Sequence, residues 1–237
     1  MTTPRRHLAA RLTLVLLTSV FAAAQQLLPR TIIFLDPAHG GPDTGAHLPN
    51  NLLEKDVTLA FATRLRALLT TSGFTLVSTR DADPTVVFTT DQRAEIANHG
   101  HPTACLILHA TASGNGIHIV TSDLAAPGDF EMPRSTIPWD SAQAASIPQS
   151  RSLANEIGLA LQRAKLPVIL SRASLRPVDN ITCPAVAIEI APLTPADAEP
   201  TPVSDATYQQ NVAKAVAAAL TSWRIRQAAA AAAGAAK

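Results

Sequence analysis

The sequence has little cysteine and no large excess of charge of either sign. Only Cys105 and Cys183 occur among its 237 residues, which excludes a cysteine-rich zinc module and a disulfide scaffold. The formal net charge of +1 is not the electrostatic footprint of a nucleic-acid-binding protein. Cys105 lies in an apolar run and Cys183 precedes Pro184, so we expect two buried free thiols. A single disulfide is the alternative in an oxidising compartment.

Charged residues are also missing from Leu12–Ala24, an apolar stretch that follows three arginines. The stretch is too short for a comfortable membrane span, and it ends in three alanines that fit an A-x-A cleavage site. We therefore predict that residues 1–24 are a secretory signal peptide, with an uncleaved anchor as the alternative. The protein would then act in the periplasm or cell envelope, without a stable membrane span after cleavage. Because residues 1–24 contain three arginines and no acids, the remainder carries 16 basic and 18 acidic residues and is nearly neutral.

Alternating strand-like runs and helical stripes over residues 25–226 predict one α/β domain. Its sheet is expected to be largely parallel, twisted and flanked by helices, with the active site at the carboxyl ends of the strands. Residues 122–148 have no clear period and predict a long surface loop, and residues 227–237 are an alanine-rich tail. The predicted strands are Thr31–Asp36, Phe74–Thr79, Ala104–His109, Gly116–Thr121 and Ala185–Ile190. The predicted helices are Glu54–Leu69, Thr90–Asn98, Gln149–Ala164 and Asp205–Arg226.

Four residues that could bind a metal or carry a proton lie at the ends of these elements. His39 follows the first strand, His109 and Glu189 lie at the ends of later strands, and Glu54 begins a helix. Two imidazoles and a carboxylate are a standard ligand set for catalytic zinc, so we assign His39, Glu54 and His109 to the metal. We assign Glu189 as the general base, because a lone carboxylate within the apolar run AVAIEI is costly unless it is paired or functional.

Each of these four residues also has a structural alternative. His39 could cap a glycine-rich turn, and His109 could be a satisfied core histidine. Glu54 could be a first-turn acid that favours the helix dipole. Glu189 could be the structural partner of an arginine.

Three further polar residues are candidates for supporting roles. Asp36 could orient a ligand imidazole, although a role in the turn after its strand is an equal alternative. Arg80 and Arg93 could bind carboxylates of a substrate, but we favour a structural role in which they tie the sheet to its helices. The other histidines are expected on the surface or in loops: His7, His47, His99, His101 and His118.

Six segments, in this order along the chain, resemble the motifs of one enzyme family. They are Phe34–Ala46 (FLDPAHGGPDTGA), Leu53–Asp56 (LEKD), Ser78–Asp81 (STRD), Arg93–Asn98 (RAEIAN), Leu106–Ala110 (LILHA) and Pro184–Ile190 (PAVAIEI). The family is that of the zinc-dependent N-acetylmuramoyl-L-alanine amidases of the amidase-3 type, which are cell-wall hydrolases. The likeness runs over about residues 31–222.

The resemblance implies that the chain cleaves the amide between the lactyl group of muramic acid and L-alanine in peptidoglycan. It also implies one zinc ion at His39, Glu54 and His109, and a catalytic glutamate at Glu189. Thr111 stands where the family has an asparagine after His-Ala, so it is a candidate for substrate binding. Residues 191–193 (Ala-Pro-Leu) replace the family's Gly-Phe-Leu. The alternatives are a zinc hydrolase of another amide and a catalytically silent peptidoglycan-binding or regulatory module.

The resemblance also bears on partners and on the long loop. We expect a monomer whose partner is peptidoglycan, with a protein activator as a further partner. In some relatives a segment near this point of the chain covers the zinc cleft until an activator displaces it. Asp129 or Glu131 could reach the metal in that way, and the alternative is a plain loop that flanks the substrate.

Overall fold

The structure, a computed structural model, describes residues 31–126, 138–196 and 199–235. The predicted signal peptide, residues 1–24, lies outside the described residues, as do the two loop carboxylates Asp129 and Glu131. Eight strands are found in the described ranges: β1 (Ile32–Pro37), β2 (His47–Leu48), β3 (Leu52–Leu53), β4 (Thr75–Ser78), β5 (Ala104–Ala110), β6 (Ile117–Ser122), β7 (Val168–Ala173) and β8 (Ala185–Ile190).

Four α-helices accompany these strands in the described part of the chain, and the last is the longest. The last helix was predicted over Asp205–Arg226 and continues through the alanine-rich segment to Ala235. No helix among the described residues is both long enough and apolar enough to cross a membrane. The helices are α1 (Glu54–Thr71), α2 (Thr90–Gly100), α3 (Ile147–Arg163) and α4 (Ala206–Ala235), and short 3-10 helices cover Pro49–Asn51, Trp139–Ser146 and Val178–Asn180.

Six of the strands form one sheet in the order β4-β1-β5-β8-β6-β7, while β2 and β3 form a small antiparallel pair. Strands β4, β1, β5 and β8 run parallel to one another. This confirms the predicted α/β domain with a largely parallel sheet and flanking helices. Strand β6 runs antiparallel to β8 and parallel to β7, so the sheet is mixed at this end.

The two faces of the sheet are covered by two apolar clusters, and the central strands supply both. Along β5, Leu106 and Leu108 point into the larger cluster, where they meet α1, α3 and α4. Cys105 and Ile107 alternate with them and point into a smaller cluster beside α2. Both faces of this strand are therefore buried, which explains why its sequence is a continuous apolar run rather than an alternating one.

One strand of the sheet is absent from the sequence-based prediction. Strand β7 is at the edge of the sheet, where β6 is its one partner among the described residues, and five of its six residues are exposed. Its central residues Ile169 and Leu170 are 55% and 43% exposed. The apolar run that follows Pro167 could have indicated a strand. An exposed edge strand, however, has no buried face, so its sequence lacks the regular apolar pattern by which strands are predicted.

The predicted long loop is more ordered at its carboxyl end than its composition indicated. Residues 139–146 form a 3-10 helix and α3 begins at Ile147, two residues before its predicted start. Gln143 is fully buried, and its amide donates hydrogen bonds to the carbonyl oxygens of Ile181 and, at 2.9 Å, Cys183. This part of the segment therefore belongs to the domain core.

The expectation of two free thiols is wrong, because Cys105 and Cys183 form a disulfide. The pairing register explains the bond. Cys105 lies opposite Ala185 in the β5–β8 pair, and its backbone N–H donates to the carbonyl oxygen of Pro184 at 2.8 Å. The two cysteine Cα atoms are consequently 6.3 Å apart, within the range that a disulfide spans. Register between distant segments is not visible in the sequence.

Loss of this bond should lower stability substantially, because it joins residues separated by 78 positions. We expect the Cys105→Ala/Cys183→Ala variant to lose about 2–5 kcal/mol of unfolding free energy, measured by urea denaturation. Reduction of the wild-type protein should cause a similar loss, while the same reductant should not affect the double variant. A urea midpoint that is equal in oxidised and reduced wild-type protein would contradict the stabilising role.

Candidate metal centre

Three residues that the sequence places far apart meet at the carboxyl edge of the sheet. His39 follows β1, Glu54 is the first residue of α1, and His109 is the penultimate residue of β5. One ligand atom from each lies within 4.8 Å of those of the other two. Glu54 is buried, and both imidazoles are partly exposed. The group is therefore built on three separate elements and is open to solvent on its histidine side.

The imidazole of His39 is oriented by a tight turn and by Asp43. His39 adopts a φ of +63°, and the neighbouring Gly40 and Gly41 also have positive φ values. The turn is closed by paired backbone hydrogen bonds between Gly40 and Asp43. The Asp43 carboxylate lies 2.9 Å from Nδ1 of His39, while Nε2 lies 3.2 Å from Oε2 of Glu54. Because Asp43 engages Nδ1, Nε2 is the nitrogen that is directed into the cluster.

Glu54 is the centre of the group, since both of its oxygens have two partners. Oε1 lies 2.8 Å from Nδ1 of His109 and accepts a hydrogen bond from the backbone N–H of Ala110 at 3.2 Å. Oε2 faces His39 and accepts from the N–H of Ala46 at 3.0 Å. Burial opposes ionisation of Glu54, but the hydrogen bonds from His109, His39 and Ala46 outweigh it and lower the pKa of the carboxyl well below its usual range. The carboxylate is therefore ionised at neutral pH, as a metal ligand must be.

Gly45 allows the two sides of the cluster to approach. A Cβ atom at this position would lie 2.6 Å from Cδ2 of His39 and 2.8 Å from Oε2 of Glu54. Its φ of +65° also favours glycine. The donor set and its convergence fit a zinc ion: two imidazoles and one carboxylate, already gathered around a common point.

Glu189 lies beside this group on the neighbouring strand. In the β5–β8 register it is opposite His109, so the two side chains project on the same face of the sheet. Its side chain is 37% exposed, and Oε2 is 2.8 Å from Nδ1 of His118. The strand around Glu189 is buried as predicted, but the carboxylate itself reaches solvent. The expectation that a lone buried carboxylate must be paired or functional therefore does not apply to Glu189.

His118 is one of two residues of this site that the sequence analysis did not assign, and the other is Asp43. His118 was expected on the surface or in a loop, whereas it lies in β6 and pairs with Glu189 across the antiparallel β6–β8 ladder. The strand containing His118 could be predicted. Its direction and its neighbour could not, because an apolar pattern carries neither.

The two arginines considered for substrate binding are buried within the protein. Arg80 donates to the backbone carbonyl oxygens of Pro37, Ala38 and Lys55 at distances of 2.7–3.0 Å. Arg93 donates to the Asp36 carboxylate, and to the carbonyl oxygen of His39 at 2.8 Å. Only 5% of Arg80 and 4% of Arg93 is exposed. Their guanidinium groups therefore support the backbone around His39, which favours the structural role over the alternative of substrate binding.

Asp36 also has a different role from the one considered first. Its carboxylate accepts from the Thr79 hydroxyl at 2.6 Å and from Arg93 at 2.5 Å, and no hydrogen bond to an imidazole is found among the described residues. Asp43 is the acid that orients a ligand imidazole. The signal for this was present in the sequence, because Asp43 follows His39 by four residues in a glycine-rich turn.

Thr111, the third substrate-binding candidate, lies at the carboxyl edge of the sheet. It follows β5 directly, is partly exposed, and its hydroxyl lies 3.3 Å from that of Ser113. Its backbone N–H donates to the carbonyl oxygen of Ile190 at 2.9 Å. The backbone of Thr111 thus lies beside the strand ends that carry His109 and Glu189.

A mostly parallel α/β sheet with a His–Glu–His group at its carboxyl edge is typical of mononuclear metal-dependent hydrolases. The comparison with protein families narrows this class. Residues 33–222 match the model of the Amidase_3 family, described as N-acetylmuramoyl-L-alanine amidase. Because the match covers most of the chain, the protein belongs to this family.

Individual relatives agree with the family. The germination-specific N-acetylmuramoyl-L-alanine amidase of Bacillus subtilis is 54% identical over 52 residues, which is 22% of either chain. Aligned segments cover only 22–32% of the length of this and two further curated amidases. Among solved structures, the amidase Ami1 of Mycobacterium smegmatis superposes with a TM-score of 0.64 and 18% identity, over 83% of this chain and 98% of that one. The CwlD amidase of Clostridioides difficile, solved with the GerS lipoprotein, superposes with a TM-score of 0.57 and 22% identity, over 82% of this chain and 98% of that one.

Proposed function

We propose that the protein hydrolyses the amide bond between N-acetylmuramic acid and L-alanine in peptidoglycan, with a zinc ion held by His39, Glu54 and His109. The observation that carries the proposal is the convergence of these three ligands within 4.8 Å in a member of the amidase family. Glu189, in register with His109, completes the group as the general base. Thr111 is proposed to contact the substrate.

When bound, zinc supplies the positive charge that polarises an amide carbonyl and makes water more acidic. Glu189 accepts a proton from the attacking water as the water oxygen bonds to the lactyl carbonyl carbon. The carboxyl then donates this proton to the alanine nitrogen as the carbon–nitrogen bond breaks. Oε2 of Glu189 is engaged by His118, which leaves Oε1 to exchange the proton.

We further propose that the protein is exported and acts in the periplasm or cell envelope. The Cys105–Cys183 bond supports this, because structural disulfides persist mainly in oxidising compartments. A protein activator is proposed as a partner by analogy with the CwlD structure, which contains a lipoprotein.

One experiment tests the proposed reaction and its metal together. We expect the purified protein to contain about one zinc per chain and to release peptides with free N-terminal alanine from peptidoglycan. The His109→Ala variant should lose both properties. His99→Ala, which removes an exposed histidine from α2, should keep both. Zinc without release in the wild-type protein would favour a silent module, and release of a different amine would favour a hydrolase of another amide.

A further inference from the structure

The proposed base has a close partner that is not part of the metal cluster. His118 and Glu189 are directly opposite in the antiparallel β6–β8 pair, and their side chains meet with 2.8 Å between Nδ1 and Oε2. No other hydrogen bond to the Glu189 carboxylate is found among the described residues. The orientation of this carboxylate therefore depends on His118.

The other ring nitrogen of His118 has a distinctive environment. Nε2 is buried and has no hydrogen-bond partner in the described part of the chain. The turn before β6 covers this edge of the ring: a Cβ atom on Gly114 would lie 2.6 Å from Cε1 and 3.0 Å from Nε2 of His118. Gly114 also has a φ of +94°, which favours glycine. The turn thus confines the imidazole and excludes a partner at Nε2.

This environment selects one form of the imidazole. A proton on Nε2 would be a buried donor without an acceptor, which is costly, and more so if the ring were charged. A single proton on Nδ1 instead donates to Oε2 of Glu189. A neutral donor orients a carboxylate without the full positive charge that would weaken it as a proton acceptor.

We propose that His118 is a positioning residue that acts through Glu189: it donates from Nδ1, remains neutral, and holds the carboxylate so that Oε1 exchanges the proton. The inference rests on the proposed function, since it requires Glu189 to be the general base. It assigns to the glycine turn before β6 the task of keeping the imidazole in this form.

The first test separates positioning from general support of the fold. In His118→Leu we expect kcat for the release of peptides with free N-terminal alanine to fall about 10–100-fold, while KM, zinc content and Tm change little. His118→Asn should recover most of the lost kcat, because its side-chain amide can donate from near the position of Nδ1. His99→Leu is the matched control and should behave like the wild-type protein. An asparagine variant no better than the leucine variant, or a change confined to KM, would overturn the proposal.

The second test asks whether His118 acts through Glu189. In a Glu189→Gln background, His118→Leu should cause little further loss, because the group it positions can no longer accept a proton. If the double variant lost activity by the product of the two single-variant factors, His118 would act independently of Glu189. Nitrogen-15 NMR of the wild-type imidazole gives a readout that does not need turnover: we expect a neutral ring protonated at Nδ1 at neutral pH. An Nε2-protonated or charged ring would overturn the proposal.

The outcomes also separate this inference from the function on which it rests. Wild-type protein that contains zinc but releases no peptide with a free N-terminal alanine would refute the amidase function itself. Wild-type release that is unaffected by His118→Leu would leave the amidase function intact and refute only the positioning role.

Discussion

Replacement of Glu189 by glutamine is expected to slow the release of N-terminal alanine from peptidoglycan by about 100–10,000-fold, while zinc content stays near the wild-type value. The amide of glutamine keeps an oxygen that can accept from His118, so the local geometry should persist. It cannot accept a proton from water, however, so the step assigned to Oε1 is lost. Initial rates and bound zinc, both measured on the same preparation, test this prediction.

The control for this variant is Glu95→Gln, which makes the same chemical change at an exposed position on α2. Its rate should equal that of the wild-type protein. If Glu189→Gln lost less than about tenfold in rate, the general base would have to be another group. If it lost zinc as well, Glu189 would belong with the ligands.

Replacement of Arg93 by methionine is expected to lower the unfolding free energy by about 3–5 kcal/mol. Arg93 and Asp36 form a buried pair 2.5 Å apart, and their side chains are 5% and 0% exposed. Removal of the arginine would leave the Asp36 carboxylate buried and without its ion-pair partner. Urea denaturation followed by circular dichroism measures the loss.

Two comparisons make this prediction specific. Arg66→Met removes one member of an exposed ion pair with Asp81, so it should change stability by at most about 1 kcal/mol. Addition of Asp36→Asn to Arg93→Met should recover part of the loss, because neither remaining side chain is charged. If Arg93→Met instead kept its stability and raised KM for peptidoglycan fragments, Arg93 would have to be assigned to substrate binding.

The buried strands of the fold could be predicted from the sequence, and so could the residues that meet at their carboxyl ends. Strand β8 has the predicted bounds Ala185–Ile190, and β5 extends only one residue beyond its prediction. Continuous apolar runs bounded by prolines, glycines or polar residues identify such strands. Because parallel strands end at one edge, His39 and His109 could be expected to lie close together.

Features that depend on pairing could not be predicted in the same way. The disulfide needs the β5–β8 register, and the His118–Glu189 contact needs β6 to run against β8. Neither the register nor the direction of a strand can be deduced from its local composition, because an apolar run is compatible with either direction and with several registers. Arg80 and Arg93 were ambiguous because an arginine that binds backbone carbonyls has the same sequence signal as one that binds substrate.

The disulfide also provides a simple assay for correct pairing of the two strands that carry His109 and Glu189. Cys105 lies on the strand that carries His109, and Cys183 lies just before the strand that carries Glu189. Proteolysis without reduction, followed by mass spectrometry, can therefore report whether these two strands are neighbours in any preparation. A variant that retains the cross-linked peptide but has lost activity would have a defect in its chemistry, whereas one that lacks the peptide would not have assembled this part of the sheet.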